Sequence, residues 1–437
     1  MTESRGIESP RMRVGLDARL EHGLAGGVQQ FVIGLASGLA RLDAGSEEYL
    51  FLNAPGVDDW LRPHLGWPGS ELLSAGVAGR RTIPRSTLGT VRRTLGARLP
   101  LARDTWRRLR RVVSSQPIRL EQSDGTIERA GVDVMHFTFQ GGFLTDVPTI
   151  YQPWDLQHIH LPGFFSHEER RWREEAYGTF CRQARLVVVA SDWARRDVAS
   201  HFGISPSKIA VVGVPPVIST HPEPGPDAAA QVRQRLGVPR TFIFYPAQTW
   251  PHKNHLRLLA ALAVVRRRGI DVDLVCSGSQ NSHYATIRAE VTRLGLDRNV
   301  HFVGFVEPQD IQVLFRSAFA LVFPSLFEGW GLPLLEAFEI GVPVVCSNVT
   351  SLPDLVGDAA VICDPTDVGS IAGAIERVWR DQALRDELVT RGRRVADQYD
   401  WLTTARTYRA LYRSVAGRTV AADDRALIDA SLRVAAA

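Results

Sequence analysis

The stretch that decides the fold is A-L-V-F-P-S-L-F-E-G-W-G-L-P-L-L-E-A-F-E-I-G, Ala320 to Gly341. Its first four residues form an apolar run that stops at Pro324 and Ser325, as a buried strand does. A turn follows, carrying Glu328, Gly329, Trp330 and Gly331. Pro333 then stands where a helix begins, because its fixed φ suits the first turn and its missing N–H is not needed there. The pattern reads strand, glycine turn, helix, with Glu328 in the turn and Glu336 in the first helical turn.

A helix start offers free N–H groups and a partial positive charge, which suit an oxyanion. Gly329 and Gly331 let a ligand approach the backbone closely. The two carboxylates can accept hydrogen bonds from vicinal hydroxyls, as on a ribose or a hexose. Taken singly, Glu336 only complements the helix dipole and Glu328 is a solvated loop residue. The turn taken whole points to a polyhydroxylated ligand.

Outward from this stretch the same alternation recurs. Strands are predicted at Thr241–Ala247, Val272–Gly278, Val300–Phe305, Pro343–Asn348 and Ala359–Asp364, with helices at Leu256–Arg268, Tyr284–Leu294 and Pro308–Ser317. The first half predicts strands at Met12–Leu16, Tyr49–Asn53, Val132–Phe137, Thr149–Gln152, Arg185–Ser191 and Ile209–Val214, and a helix at Gln29–Leu42. Strands alternating with helices of this length imply a parallel, doubly wound sheet. Pro215-Pro216 and the prolines at 222, 224 and 226 mark a connector between the halves. The expected fold class is α/β, two tandem Rossmann-like domains with a cleft between them.

Composition narrows the class. With 437 residues, 45% hydrophobic and 22% charged, the chain is an ordinary globular protein of more than one domain. The four cysteines, 181, 276, 346 and 363, stand singly, three of them within apolar runs, so neither a disulfide framework nor a metal site is implied. No apolar run has the length of a membrane span, and the first residues lack a signal-peptide core. A reducing cytoplasm is the expected location. Between Arg80 and Arg119 stand twelve arginines and one acid, Asp104, a block that attracts anions. Within it Thr105–Val113 has an apolar side at helical spacing, compatible with an interfacial helix on an anionic membrane and equally with a solvated basic helix. It carries no recognisable reading motif, so nucleic acid is not expected as a partner.

Lysine occurs only at 208 and 253. Lys253 lies in Q-T-W-P-H-K-N, where the second half's first strand meets a helix, and a compact cation there suits a phosphate. In the first half, Gly26-Gly27 opens the first helix, His136 ends one strand and Asp155 follows the next. Ligands in such sheets lie beyond the carboxyl ends of the strands. The D-x-D at Asp271-Val272-Asp273 starts a strand, away from that edge, and reads as structural. Two anion-friendly turns and two hydroxyl-binding carboxylates describe a nucleotide-sugar site.

The run E-G-W-G-L-P-L-L-E, Glu328 to Glu336, resembles the glutamate-x7-glutamate motif of family 4 of the glycosyltransferases, retaining enzymes with two Rossmann-like domains. Gly26-Gly27-Val28, the strand ending at His136, D-L-Q-H-I-H-L-P (155–162), W-P-H-K-N (250–254) and D-W-L-T-T-A-R-T-Y-R-A-L-Y (400–412) extend the resemblance over most of the chain. It implies an acceptor-binding domain over 1–217, with an Arg-rich insertion at 75–125, a donor-binding domain over 218–400, and a helix and tail over 401–437 that cross back. It implies that Glu336 binds the donor ribose and that Glu328, with Gly329, Trp330, Gly331 and Leu332, faces the transferred sugar. Lys253, beside Gln248 and Asn254, would hold the diphosphate, which Gly26 and Gly27 approach from the other domain. His136, with Asp155 and His158, would line the donor-sugar or acceptor side.

The implied reaction moves a hexose, with a hint of mannose, from a nucleoside-diphosphate sugar to a glycan or lipid-linked acceptor, without a cofactor and without a metal. The 80–119 block would touch the inner face of the membrane. Two departures stand out. Ala247-Gln248 replaces a Gly-Arg pair common in the family, removing a phosphate-facing cation, and Trp154-Asp155 replaces a His-Asp pair. Rival readings on similar sheets are a nucleotide-sugar epimerase or phosphorylase, and an NAD-dependent oxidoreductase. The absent G-x-G-x-x-G argues against the oxidoreductase.

Overall fold

The computed structural model describes residues 11–434 apart from 22, 24–25, 44, 46, 54–59, 75–76, 83–117, 219–220 and 222, with the backbone alone at 77–82. In the first half, β1 (Met12–Asp17), β2 (Glu47–Asn53) and β3 (Ser70–Ser74) precede β4 (Val77–Thr82) and β5 (Arg119–Ser123). Then come β6 (Val134–Phe137), β7 (Thr149–Tyr151), β8 (Leu186–Val189) and β9 (Ile209–Val211). The second half holds β10 (Phe242–Pro246), β11 (Asp273–Ser277), β12 (Val300–Gly304), β13 (Ala320–Phe323), β14 (Val344–Ser347) and β15 (Val361–Cys363).

These strands make two parallel sheets, in the orders β3-β2-β1-β6-β7-β8-β9 and β12-β11-β10-β13-β14-β15. Inner strands β6, β8, β13 and β14 are buried at every residue, and β1 and β10 at all but one. Continuous apolar runs rather than alternating ones follow from helices covering both faces. Each sheet reverses its strand order beside its first strand, between β1 and β6 and between β10 and β13. These are the two points where loops diverge to opposite faces and leave a crevice.

Helix Trp401–Val415, capped by the Asp400 carboxylate on the Thr403 N–H, lies against helix Gly27–Ala40 of the first half. Gly34 and Gly38 make the contact close: a methyl group on either would collide with Trp401. The Trp401 indole N–H donates to the Pro216 carbonyl at 2.9 Å, and Arg413 pairs with Glu47. The large buried cluster accordingly runs from Val14 and Phe31 through Trp401 and Tyr408 into the second sheet.

The predicted strands and helices are found with ends shifted by at most three residues, and helix Pro308–Ser317 with none. The final segment, for which periodicity predicts nothing, forms helix Ala422–Leu432. It buries Asp424 within 3.4–3.9 Å of Arg406, Arg409 and Arg413. The four cysteines are buried and free. Most of the Arg-rich block, including 105–113, lies outside the described residues. Its flanks, β4 and β5, pair antiparallel, so both ends of the insertion leave from one place. Among the described residues no helix is long and apolar enough to cross a membrane.

Candidate functional site

A cleft of about 880 Å3 opens over both strand-order reversals. It is lined by Gly26 and Gly27 after β1, Asp155 after β7, Gln248 and Lys253 after β10, and Glu328, Gly329, Trp330, Gly331, Leu332 and Glu336 after β13. The strand, glycine turn and helix after β13 are as the sequence predicts, with Pro333 in the first turn of helix Leu332–Ile340. Glu336 does not fall in that first turn as expected but in the second, because the helix starts at Leu332. Gly331 has φ +123°, a conformation open to glycine and strained for other residues.

The turn is braced from three sides. Ser351 Oγ donates to the carbonyls of Glu328 (3.1 Å) and Trp330 (3.0 Å), and Ser191 Oγ donates to the Gly329 carbonyl at 3.1 Å. The Trp330 indole N–H reaches the Val214 carbonyl at 2.9 Å. Gly329 packs so tightly on the loop after β7 that a Cβ would sit 2.5 Å from the Trp154 carbonyl oxygen. Trp154 itself has φ +66°, uncommon for a bulky residue. The clamp after β13 is thus held partly by the other half of the molecule.

The two turns of the second half are tied together as well. Asn254 donates from its amide to the Pro324 and Pro365 carbonyls (2.9 and 2.8 Å), and the Leu326 N–H donates to the His252 carbonyl at 2.7 Å. This fixes Lys253 opposite Glu328, Nζ to Oε1 2.6 Å, with both side chains largely buried. Glu336 lies deeper: burial and the nearby Glu339 push its carboxyl up to about 8. Burial also raises the Asp155 carboxyl, opposed by Arg173 and reinforced by Glu328.

Three predicted site residues do not reach the cleft. His136 is fully buried, with Nδ1 2.9 Å from the Tyr412 hydroxyl, Nε2 3.2 Å from Gln152 Oε1, and its ring stacked on Tyr408. Burial holds its pKa down to about 3, so it is a neutral strut that fixes helix Trp401–Val415 to β6. A place in the catalytic set therefore lacks geometric support. His158 is buried edge-on to Tyr177, and the Asn254 amide is spent on the two carbonyls.

Sequence reasoning missed Arg173, on helix His167–Gln183, whose guanidinium lines the cleft. It lies 4.7 Å from the Phe165 ring centroid and donates to the Tyr177 hydroxyl at 3.2 Å. Among the described residues no carboxylate comes within ion-pairing distance of it. Nothing in R-R-W-R (170–173) separates it from Arg170 and Arg171, since only the packing of the helix selects the face. The structural reading of D-x-D agrees with the geometry, in which Asp271 and Asp273 both pair with Arg266 (2.9 and 3.6 Å).

Two parallel sheets joined by such a cleft are the architecture of the B-type glycosyltransferases. The family model for Glycosyltransferase Family 4 matches residues 25–215, and that for Glycosyl transferases group 1 matches 228–395. Between them the two models span most of the chain, which belongs to these glycosyltransferase families.

Among curated proteins it is 29% identical over 249 residues to O-antigen chain mannosyltransferase B of Escherichia coli, covering 56% of this chain and 65% of that one. It is 28% identical over 262 residues to the MMP alpha-(1->4)-mannosyltransferase of Mycolicibacterium hassiacum, covering 58% and 60%. The chain thus spans just under two thirds of the length of these relatives. Among solved structures, Anabaena HepE in complex with UDP and glucose superposes with a TM-score of 0.66 at 20% identity, over 92% of this chain and 100% of that one. Sucrose-phosphate synthase of Thermosynechococcus elongatus gives 0.65 at 20%, over 93% and 99%.

Proposed function

We propose that the protein is a retaining transferase that moves a hexose, with mannose the first candidate, from a nucleoside-diphosphate sugar to a hydroxyl of a glycan or lipid-linked acceptor. The observation that carries this reading is the convergence of Lys253, Glu328 and Glu336 on one cleft at the β10/β13 reversal, beside the N-terminal end of helix Leu332–Ile340. The mannosyltransferase relatives favour the sugar, and a relative of the fold solved with UDP favours the donor class.

On this reading the C1–O bond to the diphosphate breaks while the acceptor oxygen bonds to C1 on the same face. The acceptor's proton passes to the departing phosphate oxygen. Negative charge grows on the phosphate, where Lys253 and the main-chain N–H groups are already oriented, and preorganised donors of this kind lower the barrier most. Arg173 is a second cation in the cleft, on the acceptor side. Glu336 accepts from the ribose hydroxyls, and Glu328 holds Lys253 until the donor arrives. Neutralisation by these groups needs no metal, so turnover should survive a chelator. The Arg-rich insertion provides peripheral contact with an anionic membrane at the cytoplasmic face.

The deciding experiment is incubation with UDP- and GDP-hexoses and a set of glycan acceptors, with the product anomer read by NMR. Transfer with inverted configuration, or epimerised donor without any acceptor, would sink the proposal.

A further inference from the structure

Among the described residues four large aromatic side chains are exposed: Phe164 (42%), Trp172 (39%), Trp250 (46%) and Phe305 (43%). All four line the same cleft. Scattered apolar residues on a surface need no explanation, but exposed aromatics gathered in one concavity mark a binding face. Phe305 is set apart from the rest: it ends the β12 edge of the second sheet and packs near Gly23, whose Cβ would meet its ring at 3.5 Å. The other three surround a different part of the cleft. Phe164 just precedes helix His167–Gln183, Trp172 lies on it, and Trp250 lines the cleft together with that helix's Arg173.

We propose that Phe164, Phe165 and Trp172, with Trp250 from the other half of the molecule, form an acceptor subsite that stacks pyranose rings. The feature recognised on the acceptor is then sugar and not a lipid chain. This inference rests on the glycosyl-transfer reading and deepens it.

The physical case lies in what separates the rings. Glu169 and Arg173 line the cleft from the same helix, one turn apart, interleaved with Trp172. A pyranose has apolar C–H faces that lie on aromatic rings and hydroxyls around its edge that meet charged and amide groups. A wall of alternating aromatic and polar side chains matches both features at once. A polyprenyl chain would cover the same rings while stripping water from a carboxylate and a guanidinium and returning no hydrogen bond, which is unfavourable.

The test is a glycan array of defined α- and β-linked oligosaccharides, probed with full-length protein saturated with UDP or GDP. Vesicles of phosphatidylglycerol with and without a polyprenyl phosphate run in parallel. The wild-type protein should retain oligosaccharides, and Trp172→Ala and Phe164→Ala should each weaken that retention roughly tenfold. Both side chains are exposed, so both variants should fold, and their nucleotide affinity by calorimetry should match the wild type. Glycan retention untouched by both substitutions would overturn the subsite, as would capture of the vesicles and of no oligosaccharide. A wild-type protein that binds neither UDP nor GDP would instead remove the transfer reading beneath it.

Discussion

Lys253 Nζ lies 2.6 Å from Glu328 Oε1, so the cation assigned to the donor's phosphates is paired with a carboxylate. A diphosphate arriving there must share or replace that partner. Lys253→Ala should therefore do two things: remove the phosphate-facing charge and leave Glu328 unpaired and largely buried. The expected loss in kcat is roughly two to three orders of magnitude, with donor affinity also reduced. Steady-state turnover with nucleotide-sugar donors checks it, and near-normal turnover would show that Lys253 is not the phosphate site.

Glu336 gives a pH-dependent signature. Its carboxyl is pushed up to about 8 by burial, so it is largely protonated at neutral pH. Ribose hydroxyls donate to the ionised form, so nucleotide binding should expel a proton. Affinity should rise between pH 7 and about 9, by no more than about tenfold per unit, and level off above. Calorimetry at pH 7 in two buffers of different ionisation enthalpy reads the proton directly, and binding without proton release would remove Glu336 from the ribose.

The same shift sets a stability trade. An acid whose folded pKa is raised loses its proton first in the unfolded chain, so stability falls as pH rises from about 4.5 to about 8 and stays low above. Glu336→Gln cannot ionise. It should raise Tm relative to the wild type at pH 8–9 and give no gain below pH 4.5, while weakening nucleotide binding. Thermal melts across pH, with and without nucleotide, separate the two effects.

Gly329 tests the contact between the two halves. An alanine there would place its Cβ 2.5 Å from the Trp154 carbonyl oxygen, with backbone and not a flexible side-chain tip in the way. One of the two loops must then withdraw. Gly329→Ala should cut kcat at least about tenfold, because sub-ångström errors in a clamp are costly, with only a small change in Tm. Activity and melting temperature measured together decide it, and full activity would show that this approach is dispensable.

His136 should behave as structure. His136→Ala removes two buried hydrogen bonds and opens a cavity between β6 and helix Trp401–Val415, for a loss of about 2–4 kcal/mol in stability. Since the ring stays neutral down to about pH 3, no inflection of kcat/KM near neutrality should vanish with it. Denaturant melts and a pH–rate profile provide the check.

The alternation of apolar runs and amphipathic helices was enough to read two doubly wound sheets, because period and length are local properties. The strand–turn–helix at 320–341 was legible for the same reason: Pro333, Gly331 and the two glutamates stand close together along the chain. Lys253 stood out only because lysine is scarce in the sequence. His136 misled, since a polar residue at a strand end looks alike whether it faces a ligand or meets Tyr412 from 276 residues away. Helix Ala422–Leu432 escaped notice because its burial depends on a distant arginine cluster and not on its own periodicity.

What the sequence by itself determined is the architecture and the chemistry available at each strand end, since both follow from residue type and short spacing. Only the tertiary structure decided which of those ends share one cleft. It set Lys253 against Glu328 across 75 residues, brought Gly329 onto Trp154, and turned Arg173 rather than its neighbours inward. Such pairings depend on how helices pack on both faces of two sheets, and packing joins residues that the chain keeps far apart.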